Sequence, residues 1–148
     1  MQLAGTRFGD IELDDGKAIV FPRGLVGFPE ARRYVLLDPQ GSSKVAWLQS
    51  LDVPELAFPV IEGSTMSRAY PDPPADKLAN EAGLGGSEVA LLVVVAVRKG
   101  KGLVANLLAP LVVDLESRSG AQVVLDPKRY SATVALGPEE DRAKSLDA

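Results

Sequence analysis

Residues 88–117, EVALLVVVAVRKGKGLVANLLAPLVVDLES, decide the fold. Val89 to Val97 is an unbroken apolar run without alternation, so as a strand it is buried on both faces. It is far short of the ~20 residues a membrane helix needs. Residues 99–102, KGKG, supply a hairpin turn into a second apolar run, and Pro110 ends or bulges that returning strand. The basic cluster Arg98 to Gly102 reads as the charged flank of a turn rather than as a nucleic-acid patch. Between Leu103 and Val113 the only polar side chain is Asn106. A buried amide without partners costs ~1–3 kcal/mol. Asn106 therefore either bonds neighbouring backbone where Pro110 breaks the ladder or is aimed at something outside the fold.

Outward from this segment the chain continues in short strands. Residues 6–30 read as strand, turn, strand, with Asp15-Gly16 as the hairpin signal, followed by a loop punctuated by Pro22, Gly24, Gly27 and Pro29. RRYVLLD (32–38) and VAWLQSL (45–51) are two more strands; in the second, Ala46, Leu48 and Ser50 share one face, and Val45, Trp47, Gln49 and Leu51 the other. Pro54 and Pro59 predict an irregular or edge strand over residues 52–63. Helix is expected within 62–88, where prolines precede Ala75, Asp76 sits near the N-terminus, Leu78, Ala79 and Ala82 recur at helical spacing, and Gly83 stops the run. AQVVLD (121–126) and YSATVAL (130–136) complete the strands. The pattern predicts an all-β fold, a small closed or partly open antiparallel β-barrel with one or two short helices. Residues 1–137 form the barrel domain, and 138–148 a charged, flexible tail.

Composition closes many function classes. The 148 residues contain no cysteine and no histidine, which removes thiolate nucleophiles, disulfides, and the commonest general base and metal ligand. Aromatic residues are 5%, too few for a base-stacking RNA-binding sheet, and a net charge of −4 disfavours phosphate backbones and anionic membranes while favouring a basic partner. No secretory signal follows Met1, so a soluble, cytoplasmic protein is expected. Asp14-Asp15 and Glu139-Glu140 read as solvated surface, and GLGGSE (83–88) follows a helix and precedes a strand, the reverse of a phosphate loop. No cofactor, metal or catalytic group is called for. Gln49, Asn106 and Gln122 remain as amides in or near strands, serving either as internal buttresses or as a recognition surface.

The ordered set F.RGLVGFPEARRYVLLD, WLQSLDVPELAFPVI, VANLLAPLVVD and AQVVLDPKRYSATVAL resembles the flagellar assembly factor FliW family from Phe8 to Leu136. The resemblance implies a small barrel-like protein without enzymatic activity that binds newly made flagellin. It also implies binding to carbon storage regulator A, an RNA-binding dimer that represses flagellin translation. Once flagellin leaves for export, the freed protein sequesters the regulator and the flagellin messenger is translated. Candidate partner-binding residues are Phe28, Gln49, Asn106, Gln122, Glu139, Glu140 and Asp141, with no direct nucleic-acid or membrane contact and a monomeric chain. Asp114 departs from the family pattern, which often has asparagine there. The alternative is a small β-barrel binding domain for a peptide or metabolite, with the three amides lining a pocket.

Overall fold

The computed structural model describes residues 1–38, 45–63, 66, 70–85, 88–100 and 102–137. In chain order the elements are β1 (Gln2–Thr6), β2 (Gly9–Glu12), a 3-10 turn (Asp15–Lys17), β3 (Ile19–Val20), β4 (Arg33–Leu37), β5 (Ala46–Ser50), β6 (Ala57–Glu62) and α1 (Ala75–Glu81). They continue with β7 (Val89–Arg98), β8 (Gly102–Ala105), β9 (Leu111–Asp114), β10 (Ser119–Gln122) and β11 (Val134–Gly137). Seven strands close a ring in the order β7-β6-β5-β4-β3-β10-β9 and back to β7, while β8 and β11 extend from β7 as a flap. The long apolar strand makes this possible. Val89–Leu92 pair with β9, and Val95–Arg98 with β8, so one edge of β7 serves two strands in succession.

The missing alternation follows from what covers each face. Leu111 and Val113 of β9 point into the barrel with Ile19, Phe21, Tyr34, Leu48 and Val60, whereas Val112 faces outward beneath Leu78, Ala79 and Leu84. Val93 and Val95 join a third cluster with Ile61, Met66, Ala105 and Leu136. The β1–β2 hairpin covers another part of the barrel, packing Leu3 and Leu13 against Val35 and Leu51. Helix α1 ends as expected at Gly83, which adopts φ +82°. Gly83 N–H donates to Asn80 C=O and Leu84 N–H to Ala79 C=O, the paired bonds of a Schellman cap, with Leu84 buried.

Four expectations are corrected. Asp15-Gly16 does not turn a hairpin: Asp14 Oδ1 accepts from Gly16 N–H and forms a local 3-10 turn, and the hairpin reverses instead at Arg7-Phe8, ahead of Gly9 at φ +84°. β6 is not an edge strand, yet Pro59 is accommodated because the ladder to β7 begins only at Val60, leaving Pro59 opposite Trp47 alone. Strand β11 starts at Val134 rather than Tyr130, since Tyr130 N–H donates to Asp126 C=O, Ser131 C=O accepts from Leu107 N–H, and Ser131 Oγ accepts from Thr133 N–H. The barrel is also not wholly antiparallel. β3 and β10 pair in parallel, through Val20 and Ser119 only.

Candidate functional site

Asn106 sits where the β7 edge passes from β8 to β9. Its N–H donates to Val94 C=O at 2.9 Å, and its Oδ1 accepts from the N–H groups of Leu108 and Ala109, both at 3.1 Å. The side chain thus supplies the acceptor that the ladder cannot offer while the chain turns toward Pro110. Gln122 works on the same loop: its Nε2 donates to Ala109 C=O at 3.1 Å, and its Oε1 accepts from Val26 N–H at 2.7 Å. Two of the three amides therefore hold the backbone of Ala109, one at its N–H and the other at its C=O, and tie residues 106–110 to the loop around Val26.

Gln49 lies apart from them. It is fully buried, and its Nε2 lies within hydrogen-bond distance of the carbonyls of Ser50, Pro54 and Leu56 at 2.8, 2.8 and 3.3 Å. The three amides do not enclose a common pocket, and Gln49 presents no atom to a partner. Phe28 is 41% exposed at the end of a chain of rings, edge-on to Phe58 at 5.4 Å, with Tyr34 and Phe21 following inward. Its loop is shaped by Gly24, at φ +67°, where a Cβ would lie 2.5 Å from Phe28 O. Phe28 is thus a surface aromatic on a fixed support, suited to anchoring a contact. Glu139, Glu140 and Asp141 lie outside the described residues.

Sequence reading missed two polar clusters. Asp52 accepts from the N–H groups of Arg32 and Arg33 at 2.8 and 2.9 Å and from the Arg33 guanidinium at 3.1 and 3.0 Å. Burial pushes its carboxyl up, but those backbone and guanidinium donors outweigh it and hold Asp52 below the usual carboxylate value. Ser50 Oγ places Asp52 by accepting from the N–H groups of Asp52 and Val53, so the signal was a serine two residues before an aspartate in a strand-ending turn. The second is Arg7, stacked 4.2 Å over Trp47, whose ring also meets Phe8 edge-on. Nothing in the local sequence joins Arg7 to Trp47. Asp114 is buried and its Oδ1 accepts from Glu116 and Ser117 N–H at 3.0 and 3.4 Å, work that an asparagine oxygen at this position would also do.

Two open grooves flank α1. One, of about 570 Å³, runs between the α1 C-terminus, residues 22–24 and β10. The other, also about 570 Å³, is lined by Glu62, Glu88, Tyr70, Pro71 and Leu91, with no cationic side chain among the described residues that line it. No described helix is long and apolar enough to cross a membrane. A sequence model described as FliW protein matches residues 2–136. The chain is 34% identical to the flagellar assembly factor FliW of Geobacter sulfurreducens, over 98% of this chain and 92% of that relative. It is 35% identical to that of Syntrophus aciditrophicus, over 88% of this chain and 84% of that relative. A solved structure described as the crystal structure of the flagellar assembly factor FliW matches with a TM-score of 0.79 at 31% identity, covering 95% of this chain and 99% of that one. With sequence and barrel agreeing over nearly their whole length, the chain belongs to the FliW family of flagellar assembly factors.

Proposed function

We propose that this protein is a cytoplasmic, non-catalytic regulator that binds flagellin and carbon storage regulator A in turn, so that release from one partner frees it for the other. Family membership over residues 2–136 carries this reading, because flagellar assembly is the role its relatives are named for. Charge supports the second partner: the chain has a net charge of −4, and Glu88 lines the groove beside the start of α1. Phe28 is the proposed aromatic anchor, and Glu139, Glu140 and Asp141 are proposed to contribute further negative charge. The free protein is monomeric in this reading, and competition between partners relieves repression of flagellin translation.

Titration calorimetry against the cognate carbon storage regulator A, repeated with cognate flagellin already bound, tests the switch. Saturable binding that flagellin abolishes is the expected result. Absence of binding to either partner by folded protein would sink it. The alternative of a peptide or metabolite pocket lined by the three amides loses its geometric basis, since Gln49 is remote from Asn106 and Gln122 and all three bond backbone.

A further inference from the structure

We infer that the exposed edge of the chain at residues 122–124 receives an extended segment of a partner polypeptide by strand addition. β10 pairs with β9 along its whole length but with β3 only at Ser119. Beyond that residue, Val123 N–H donates to Pro110 C=O and Leu125 N–H to Leu108 C=O. The alternation of an antiparallel ladder then turns the backbone groups of Gln122 and Val124 to the opposite edge. No backbone partner meets the N–H or C=O of Val124 among the described residues. That edge borders the groove between residues 22–24 and the C-terminal end of α1, whose volume of about 570 Å³ lies in the range of ligand-binding clefts.

The occupant follows from the shape and chemistry of the site. Unused N–H and C=O groups along a strand are matched by the main chain of another strand. The edge is recessed between Pro22-Arg23-Gly24 and Glu81 to Leu84, so the same recessed edge of a second copy cannot reach it, whereas a single extended chain can. Val124 is 63% exposed and Val26 71%, the latter bonded through its N–H to Gln122, so apolar side chains flank the track and favour a β-branched residue in the guest. This site stands independently of which protein supplies the segment.

The probe is acetyl-Thr-Val-Thr-Val-Thr-amide, titrated into the full-length ¹⁵N-labelled protein. Saturable shifts of the Gly120, Gln122 and Val124 amides are expected by about 10 mM peptide. N-methylation of alternate peptide amides and, separately, Val124→Pro should each weaken binding by about tenfold or more, while Val124→Thr, which keeps the N–H, should bind within about twofold. Absence of shifts at these amides, or equal affinity for the N-methylated peptide, would overturn the proposal; that second comparison holds even if the proline variant does not fold. A wild-type dimer in sedimentation that Val124→Pro dissociates would also overturn it, giving the edge to a second copy.

Discussion

The barrel is joined along two seams that differ in kind. Between β7 and β9 the chain forms four antiparallel pairs, from Val89 opposite Asp114 to Leu92 opposite Leu111. Between β3 and β10 there is one parallel pair, Val20 with Ser119. Where the ladder is long, backbone bonds and the buried residues Leu111, Val112 and Val113 hold the ring. At the short seam side chains substitute for the missing ladder: Gln122 fastens Val26, Phe21 packs beneath Gly120, and Asp52 fixes the start of β4, on which β3 depends through Val20 opposite Arg33. A closed sheet can thus be continuous by hydrogen bonding on one side and by packing and side-chain bonds on the other.

Each seam can be broken separately. Leu111→Ala, at the long seam, leaves a void in the barrel interior and should cost about 2–5 kcal/mol in urea unfolding; a loss below about 1 kcal/mol would show that this seam does not carry the core. Gly120→Ala should cost about 1–3 kcal/mol, because its Cβ would lie 2.6 Å from the Phe21 ring. In a Phe21→Leu background that added methyl should cost much less, and equal costs in both backgrounds would exclude the clash as the cause. Asn106→Ala should lose about 1–2 kcal/mol, while Asn106→Asp, which keeps an acceptor oxygen, should recover most of it.

Asp52→Asn should cost about 1 kcal/mol at neutral pH by weakening the bonds to Arg32 and Arg33. Because folding lowers the Asp52 pKa below 3.8, its contribution is present above that value and is lost as the pH falls through the folded pKa; the variant should flatten that part of the acid unfolding curve. The smallest effect is expected at Tyr34, whose buried hydroxyl has no hydrogen-bond partner among the described residues. Tyr34→Phe should be neutral or stabilising by up to about 1 kcal/mol. Burial, aided by the negative charge of Asp52, pushes this phenol up to about 12 from 10.0. Between those values only the unfolded phenol ionises, so stability falls as pH rises, and the variant should remove that share of the alkaline loss.

The local parts of this architecture were legible in the sequence and the seams were not. Apolar runs with β-branched or aromatic residues located β4, β5, β7 and β9, and Gly83 located the end of α1, because each signal rests on residues adjacent in the chain. Asp15-Gly16 misled because the Asp14 carboxylate satisfied Gly16 locally, an outcome that the dipeptide shares with true hairpins. Asn106 was recognisable as an amide that must find backbone near Pro110, but its place at the fork of β7 depends on Val94, which lies on another strand. Gln122 and Val26 are bonded across the fold, and Asp52 reaches two arginines on β4 and just before it. No window of sequence contains such pairs.

The unequal seams also set an order of events in time. Val20 and Ser119 lie about 100 residues apart, whereas the strands of the long seam are joined through the compact β8 hairpin. Closing the larger loop costs more chain entropy for a single bridge, so β7 to β10 assemble early and the ring shuts at β3 last. By the same reasoning it reopens there first in the native state, and the Val20 amide, bonded to Arg118 C=O, should exchange with solvent well before the amides joining β7 to β9. The barrel therefore has a built-in point of unzipping, at the border of the groove that β10 leaves open.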